Sequence, residues 1–398
     1  MRKPRTVSRL VLWLVGFFAF LNVYAVQPVT PLIIDEFNAT SLQAGTLVGA
    51  TVLGIAISSL FVGMLSDAIG RKGVIVIAMF ALVVPTMWIQ AADSLALITA
   101  LRFLQGLAIP GITTALMAYV AEELPAAKIS RGMAAYLSGC VLGGFSGRFI
   151  TAYASEWLGW RGGFMTLAVL TMVGALAVQW RLPASANFIA HRNLVFALGT
   201  LAGHLKNTGL LTACSVGFCT LFSLVGSFTY VALHLAQAPY LFSPKEIGNV
   251  FVIYLVGVVA TLLAGGLISR LGIRAVLTGS LVCSSLGILL TLSPTVLAIM
   301  LGLTVCSCGA FFAQAATFSF IAERVKEGRS LAAGIYNATY YIGGALGAWL
   351  CGVAYLWAGW KGTVMLVLLS QAAATAIAWI GSGPAEGRRP AGISRKPL

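Results

Sequence analysis

Acidic residues are what this chain has least of. Its 398 residues include 11 Asp and Glu and three His against 25 Lys and Arg, and only 9% are charged while 59% are hydrophobic. A soluble domain carries roughly 25% charged residues, so an ordinary water-facing surface cannot be built from this sequence. The solvent for most side chains must be lipid. The acids are Asp35, Glu36, Asp67, Asp93, Glu122, Glu123, Glu156, Glu246, Glu323, Glu327 and Glu386, and every one falls at the end of an apolar run or between two runs. No acid–base or nucleophile constellation therefore shares a depth in the membrane, which argues against an embedded enzyme. Metal chemistry is missing too. The seven Cys lie in apolar runs without a C-x-x-C pair, and free Cys of this kind behave as small buried hydrophobes. There is no phosphate-binding G-x-x-x-x-G-K loop, so no nucleotide or other cofactor is expected.

What is abundant is apolar sequence. Twelve runs stand out, at Leu10–Ile34, Ala44–Ser66, Val74–Ala92, Leu95–Val120, Met133–Ser155, Gly163–Leu182, Leu210–Leu235, Ile247–Ile268, Ala275–Leu292, Thr295–Ile321, Leu331–Trp357 and Thr363–Ile380. Each approaches the roughly 20 residues that a helix needs to cross the hydrocarbon core. Only a helix satisfies its own backbone groups there. The expected fold class is an all-α membrane protein with twelve transmembrane helices.

Basic residues alternate along these runs. Arg2, Lys3, Arg5 and Arg9 precede the first; Arg71 and Lys72 follow the second, Lys128 and Arg131 the fourth, and Arg181, Arg192 and Lys206 the sixth. Arg270 and Arg274 follow the eighth, Arg324, Lys326 and Arg329 the tenth, and Arg388, Arg389, Arg395 and Lys396 end the chain. Lys and Arg on short loops mark the cytoplasmic side. Both termini are thus expected in the cytoplasm, and the net charge of +14 is a topology signal rather than a nucleic-acid footprint. The basic stretch Met1–Arg9 runs into apolar sequence without a cleavage site, as an uncleaved first span would.

The two halves repeat. Gly143, Gly144 and Gly147 of the fifth run match Gly343, Gly344 and Gly347 of the eleventh, and Gly159-Trp160-Arg161 matches Gly359-Trp360-Lys361, at one offset (343 − 143 = 200). Glu123 and Glu323 share it. The expected organisation is a six-helix bundle over 1–182, a linker with an interfacial helix over 183–208, a second bundle over 209–382 and a basic tail over 383–398. The linker reads as a tether between the halves, with a regulatory role as the alternative. Duplicated halves of this kind place a substrate site between them near the midplane.

Four stretches carry mechanism. In Gly63–Gly73 (GMLSDAIGRKG), Gly63 permits close helix approach, Asp67 can cap a helix or pair with a cation, Gly70 reverses the chain, and Arg71 and Lys72 are basic. Arg102, with Gln105 and Gly106 after it, is an ionised residue at membrane depth, where it faces a cavity, meets a partner or is pinned to carbonyls. In the fifth run Gly139, Gly143 and Gly147 line one helix face, as do Gly343 and Gly347 in the eleventh, which suits close packing. Arg148 follows with no carboxylate in its own run. The last group comprises polar residues within apolar runs: Asn22, Tyr24 and Gln27, Tyr230 and His234, Gln314, and Asn337 with Tyr340 and Tyr341. These read as substrate contacts or as interhelical hydrogen bonds.

The loop at 63–73 resembles the signature loop of the major facilitator superfamily, G-x-L-x-D-r-x-G-r-r/k, with Ala68 in place of the usual basic residue. Its mirror in the second half, Gly266–Gly272, has Arg270 where Asp67 stands. Arg102 to Gly106 resembles the superfamily's R-x-x-Q-G motif. The stretch 139–148 is loosely similar to the antiporter motif G-x-x-x-G-P-x-x-G-G, with Gly144 in the place of Pro. The region from Thr212 to Gly265, the G-G-x-x-G-R of the fifth run and the Trp-bearing ends of both repeat runs look most like bacterial YnfM-type and drug:proton antiporter-like members. That resemblance implies two pseudo-symmetric six-helix bundles, with the first, fourth, seventh and tenth helices lining the cavity. It also implies a latch of Gly63, Asp67, Gly70 and Arg71 against the 329–330 region. The implied activity is alternating access without enzyme chemistry, namely proton-coupled export of a small organic molecule by a monomer in the bacterial inner membrane. Partners would then be substrate and lipid, with no nucleic acid and a proton gradient as energy source. Arg102, Gln105 and Asp35 become coupling candidates. The residues themselves leave a rival, an organic-anion carrier using Arg102 and Arg148, and a more remote one, a membrane scaffold that transports nothing.

Overall fold

The computed structural model of the chain describes residues 7–185, 206–325 and 329–382; inside the helices, only the backbone is described at 60, 63, 64, 67, 68, 126, 130, 258, 329 and 330. The expected latch partners, the linker helix and the basic tail therefore fall outside the described residues. Among the described residues there is no strand, and nine helices are long and apolar enough to cross a membrane, with Arg9–Leu21 as a shorter apolar helix.

Nine helices and twelve apolar runs differ because helix continuity is not the same as crossing. Ala126–Arg181 and Arg329–Gly381 run for 56 and 53 residues. At 1.5 Å per residue each is about 80 Å long, more than twice the roughly 30 Å hydrocarbon core. Each is two crossings joined at a bend, at Gly159 (φ 66°) and at Ala358-Gly359 (Gly359 φ 57°). A positive φ is open to glycine without a Cβ clash, so a glycine turns the chain in both halves, joined in the second by Ala358. Dividing both helices at their bends and adding the first span gives twelve candidate crossings among the described residues.

Two spans are broken at mid-depth. The first consists of Arg9–Leu21, a 3-10 turn at Gln27–Val29 and Thr30–Phe37. Pro28 and Pro31 have no N–H for a continuous ladder, and the sequence 22–26 between the pieces is irregular. The eighth consists of Pro244–Val250, a 3-10 stretch at Phe251–Leu255 and Val256–Leu271. The breaks place Tyr24 and Tyr254 beside each other's bundles, which matters below.

Glycine faces hold the spans together. A Cβ on Gly139, Gly143 or Gly147 would run into the carbonyl oxygens of Trp13, Phe17 and Leu21, and one on Gly343 or Gly347 into those of Phe218 and Phe222. The first and fifth spans thus pack backbone to backbone as the seventh and eleventh do. Without a hydrophobic drive between helices in lipid, such contact is what fastens them. The indoles after the bends also correspond. Trp160 donates from Nε1 to Glu36 at 2.6 Å, and Trp360 to the Thr291 carbonyl at 3.1 Å. The end of the bundle with the Gly159 and Gly359 bends is called the far end below. The end with the Gly70 and Gly272 turns and their Arg and Lys is the basic end.

Candidate functional site

A cavity of about 430 Å³ lies between the halves at mid-depth. The first half contributes Tyr24 and the fifth-span face from Leu137 to Arg148; the second contributes Leu224, Tyr254, Phe311, Gln314 and Tyr340, among others. Leu137 and Phe318, towards the basic end, are 49% and 46% exposed, whereas Arg148 at the other extreme is 1% exposed. The cavity therefore opens towards the basic end.

The far end is closed by contacts between halves. Gln27 donates to Thr229 at 3.0 Å. Tyr153 donates to Asn249 at 3.0 Å, and Lys245 pairs with Glu156 at 3.4 Å. The fit is tight enough that a Cβ on Gly248 would press on the Ala152 methyl, and one on Gly45 would collide with the Tyr230 hydroxyl.

Arg148 sits at the closed end of the cavity. Its Nε donates to Gln27 Oε1 at 2.7 Å and its Nη1 to the Gly144 carbonyl at 2.8 Å. Its Nη2 is buried without a hydrogen-bond partner. Three ring faces surround the guanidinium carbon, Tyr254 at 4.4 Å, Tyr24 at 4.6 Å and Phe251 at 4.8 Å, within the range of cation–π attraction. Tyr24 belongs to the first half and the other two to the second. Among the described residues that line the cavity, Arg148 carries the only formal charge.

Arg102 is equally buried but lies outside the cavity lining. Its Nη1 donates to the Asn22 carbonyl and to Gln105 Oε1, both at 2.7 Å, its Nη2 to the Val23 carbonyl at 2.5 Å and its Nε to the Leu47 carbonyl at 3.2 Å. The carbonyls of Asn22 and Val23 lie at the break in the first span, so the guanidinium supplies donors that the helix there lacks. Gln105 extends the network to Thr86 at 2.8 Å, and the Asn22 amide reaches Thr171 at 2.9 Å.

The remaining sequence candidates separate cleanly. Tyr24 and Gln314 line the cavity, and Gln27 orients Arg148. Tyr230 donates to the Ala348 carbonyl at 2.6 Å, and His234 stacks on Trp360 with ring centres 5.5 Å apart; neither lines the cavity. Asn337 is half-buried outside the lining, and Asp35 is exposed at the far end. Arg71 is paired with Glu122 at 2.6 Å and reaches Ser66 at 3.0 Å, inside the first half at the basic end. The residues that sequence reasoning missed are Phe251 and Tyr254, Glu122, and the Glu156–Lys245 pair. The aromatic pair had no motif to mark it. Glu122 could have been found as an acid at the same end of the first half as Arg71, alongside Asp67 and Glu123.

The Major Facilitator Superfamily model matches residues 12–240 and 213–398. The chain belongs to the major facilitator superfamily. It is 30% identical over 367 residues to an uncharacterized transporter of Buchnera aphidicola subsp. Baizongia pistaciae, covering 92% of this chain and 91% of the relative. It is 29% identical over 363 residues to the inner membrane transport protein YnfM of Escherichia coli K12, with 90% and 87% covered. Among solved structures, a bacterial homologue of the human lysosomal transporter Spinster, in an inward-facing and unoccupied conformation, superposes with a TM-score of 0.79 at 16% identity, covering 94% of this chain and 96% of that one. A membrane transporter fold follows, and superfamily members of this kind are not enzymes.

Proposed function

We propose that the protein is a gradient-driven carrier that moves a small organic molecule by rocking its two halves about the central cavity. The observation that carries this is the cavity itself: both halves wall it, the far end is closed by contacts between halves, and the basic end is open. Alternating access needs such a site between repeats, reachable from one side at a time. With the basic end in the cytoplasm, as its Arg and Lys favour, the state is inward-facing. The working direction is export against proton entry, in a bacterial inner membrane and as a monomer. Asp67, Gly70 and Arg71 act as the latch with the 329–330 region when the basic end closes. No carboxylate stands among the described lining residues, so coupling is assigned to the far-end acids Asp35 and Glu36, with Arg102 and Gln105 holding the first half rigid.

Purified protein in proteoliposomes with an imposed pH gradient tests this. The expected result is saturable, trans-stimulated flux of an organic substrate against the proton flow, abolished when a protonophore collapses the gradient. Linear flux that ignores substrate on the opposite side would contradict a carrier.

A further inference from the structure

A guanidinium has five N–H donors in a planar fork. In Arg148 the Nε is taken by Gln27 and one Nη1 hydrogen by the Gly144 carbonyl, while Nη2 has no partner although the side chain is only 1% exposed. The ring faces of Tyr24, Phe251 and Tyr254 attract the charge, and the Tyr254 hydroxyl lies near enough to the guanidinium to interact with it, but Nη2 meets no acceptor at hydrogen-bond geometry. A buried charge without a counter-ion is costly and marks a functional site in a membrane span. Here the missing counter-ion has a place to stand, because Arg148 lines the cavity.

We infer that Arg148 is the binding centre for an organic monoanion, a carboxylate on one apolar or aromatic body, and that this is the substrate class of the carrier proposed above. The charge count decides for a single negative charge: a second carboxylate would find no second cation among the described lining residues, and an ammonium would face Arg148. The body is set by what extends from Arg148 towards the open end, Leu137, Phe311 and Phe318, with Gln314 as the one amide in the lining. The volume of about 430 Å³ falls within the roughly 300–1,000 Å³ of small-molecule sites. The site also explains how binding reaches the rocking motion. Arg148 and Tyr24 belong to the first half, Phe251 and Tyr254 to the second, so the cation–π contacts tie the halves together. A bound carboxylate neutralises the charge and weakens that tie.

The test uses three probes with one ring and different heads: benzoate, benzyl alcohol and benzylammonium. In proteoliposomes, labelled benzoate should exchange with benzoate on the other side, and the neutral and cationic probes should neither exchange nor compete. Gln27→Glu places a carboxylate where the Nε partner now stands and should weaken benzoate binding by roughly ten- to a hundredfold. Arg148→Gln should abolish the benzoate-induced rise in melting temperature in detergent, so that a variant lost in folding does not leave the matter open. Exchange of benzyl alcohol or benzylammonium in place of benzoate would overturn the anion site and keep the carrier. A rise in melting temperature that needs Arg148, without any exchange, would keep the site and overturn the carrier. No benzoate effect at millimolar concentration, or one that survives both substitutions, would overturn the anion site.

Discussion

Arg102 and Arg148 lie in the same half, both are fully buried, and neither has a carboxylate partner. They differ in what their nitrogens find. Every nitrogen of Arg102 donates to protein, two of its bonds going to the Asn22 and Val23 carbonyls of the broken first span and one to the Leu47 carbonyl of the second span. Arg148 keeps one nitrogen free beside a cavity and is held mainly by ring faces. Charge at membrane depth does not define a role; the number of donors left over does. Arg102 is a fastening inside one bundle, and Arg148 is a group waiting for a ligand between two.

The largest effect that separates them is on folding. Arg102→Met leaves the Asn22 and Val23 carbonyls and the Gln105 amide oxygen without a donor, and each unmet buried acceptor costs about 1–3 kcal/mol. The expected loss is at least about 3 kcal/mol, seen as a lower melting temperature or a lower yield of monodisperse protein. Arg148→Met should do the reverse: stability within about 1 kcal/mol of the parent or above it, since an uncompensated charge is removed, with substrate exchange abolished. Equal loss of stability in both would break the comparison. Gln105→Leu sharpens it at smaller scale. One acceptor of Arg102 and one donor to Thr86 disappear, for about 1–2 kcal/mol, and exchange should persist in the protein that folds.

A third arginine supplies the contrast at the surface. Arg161 does have a carboxylate, Glu36 at 2.5 Å, and both side chains are more than a third exposed. The Glu36 carboxyl is held below its ordinary value, first by the Trp160 indole hydrogen bond and then by Arg161 beside it. A lowered folded value means that the contribution is complete above the ordinary 4.5 and disappears as pH falls below that through the folded value. Glu36→Gln should therefore change stability at neutral pH by at most about 1 kcal/mol, and by still less as the medium is acidified below the carboxylate range. A stability difference that grows on acidification would contradict the sign.

The fold was readable in the sequence because membrane constraints are one-dimensional: apolar length, alternating basic loops and a repeat at constant offset define crossings before any packing is known. The local geometry was not, because Gly159 and Gly359 separate two helices that follow one another without a loop, and because Pro28 and Pro31 break a run that hydropathy alone makes continuous. The glycine faces were legible as spacing, and the partner carbonyls of Trp13, Phe17 and Leu21 were not. The same limit applied to the site. Arg102 and Arg148 both stood out as charges in lipid, yet their difference depends on which atoms lie within hydrogen-bond reach, and Phe251 and Tyr254 approach Arg148 from a 3-10 stretch of the eighth span that hydropathy does not mark.

The central claim is that Arg148, unlike Arg102, holds its charge for a ligand. Thermal unfolding of Arg102→Met and Arg148→Met in detergent, with and without benzoate, tests it most directly. The account predicts that Arg102→Met melts lower and keeps a benzoate-induced rise, while Arg148→Met melts near the parent and shows none. A benzoate-induced rise in Arg148→Met, or its loss in a folded Arg102→Met, would contradict it.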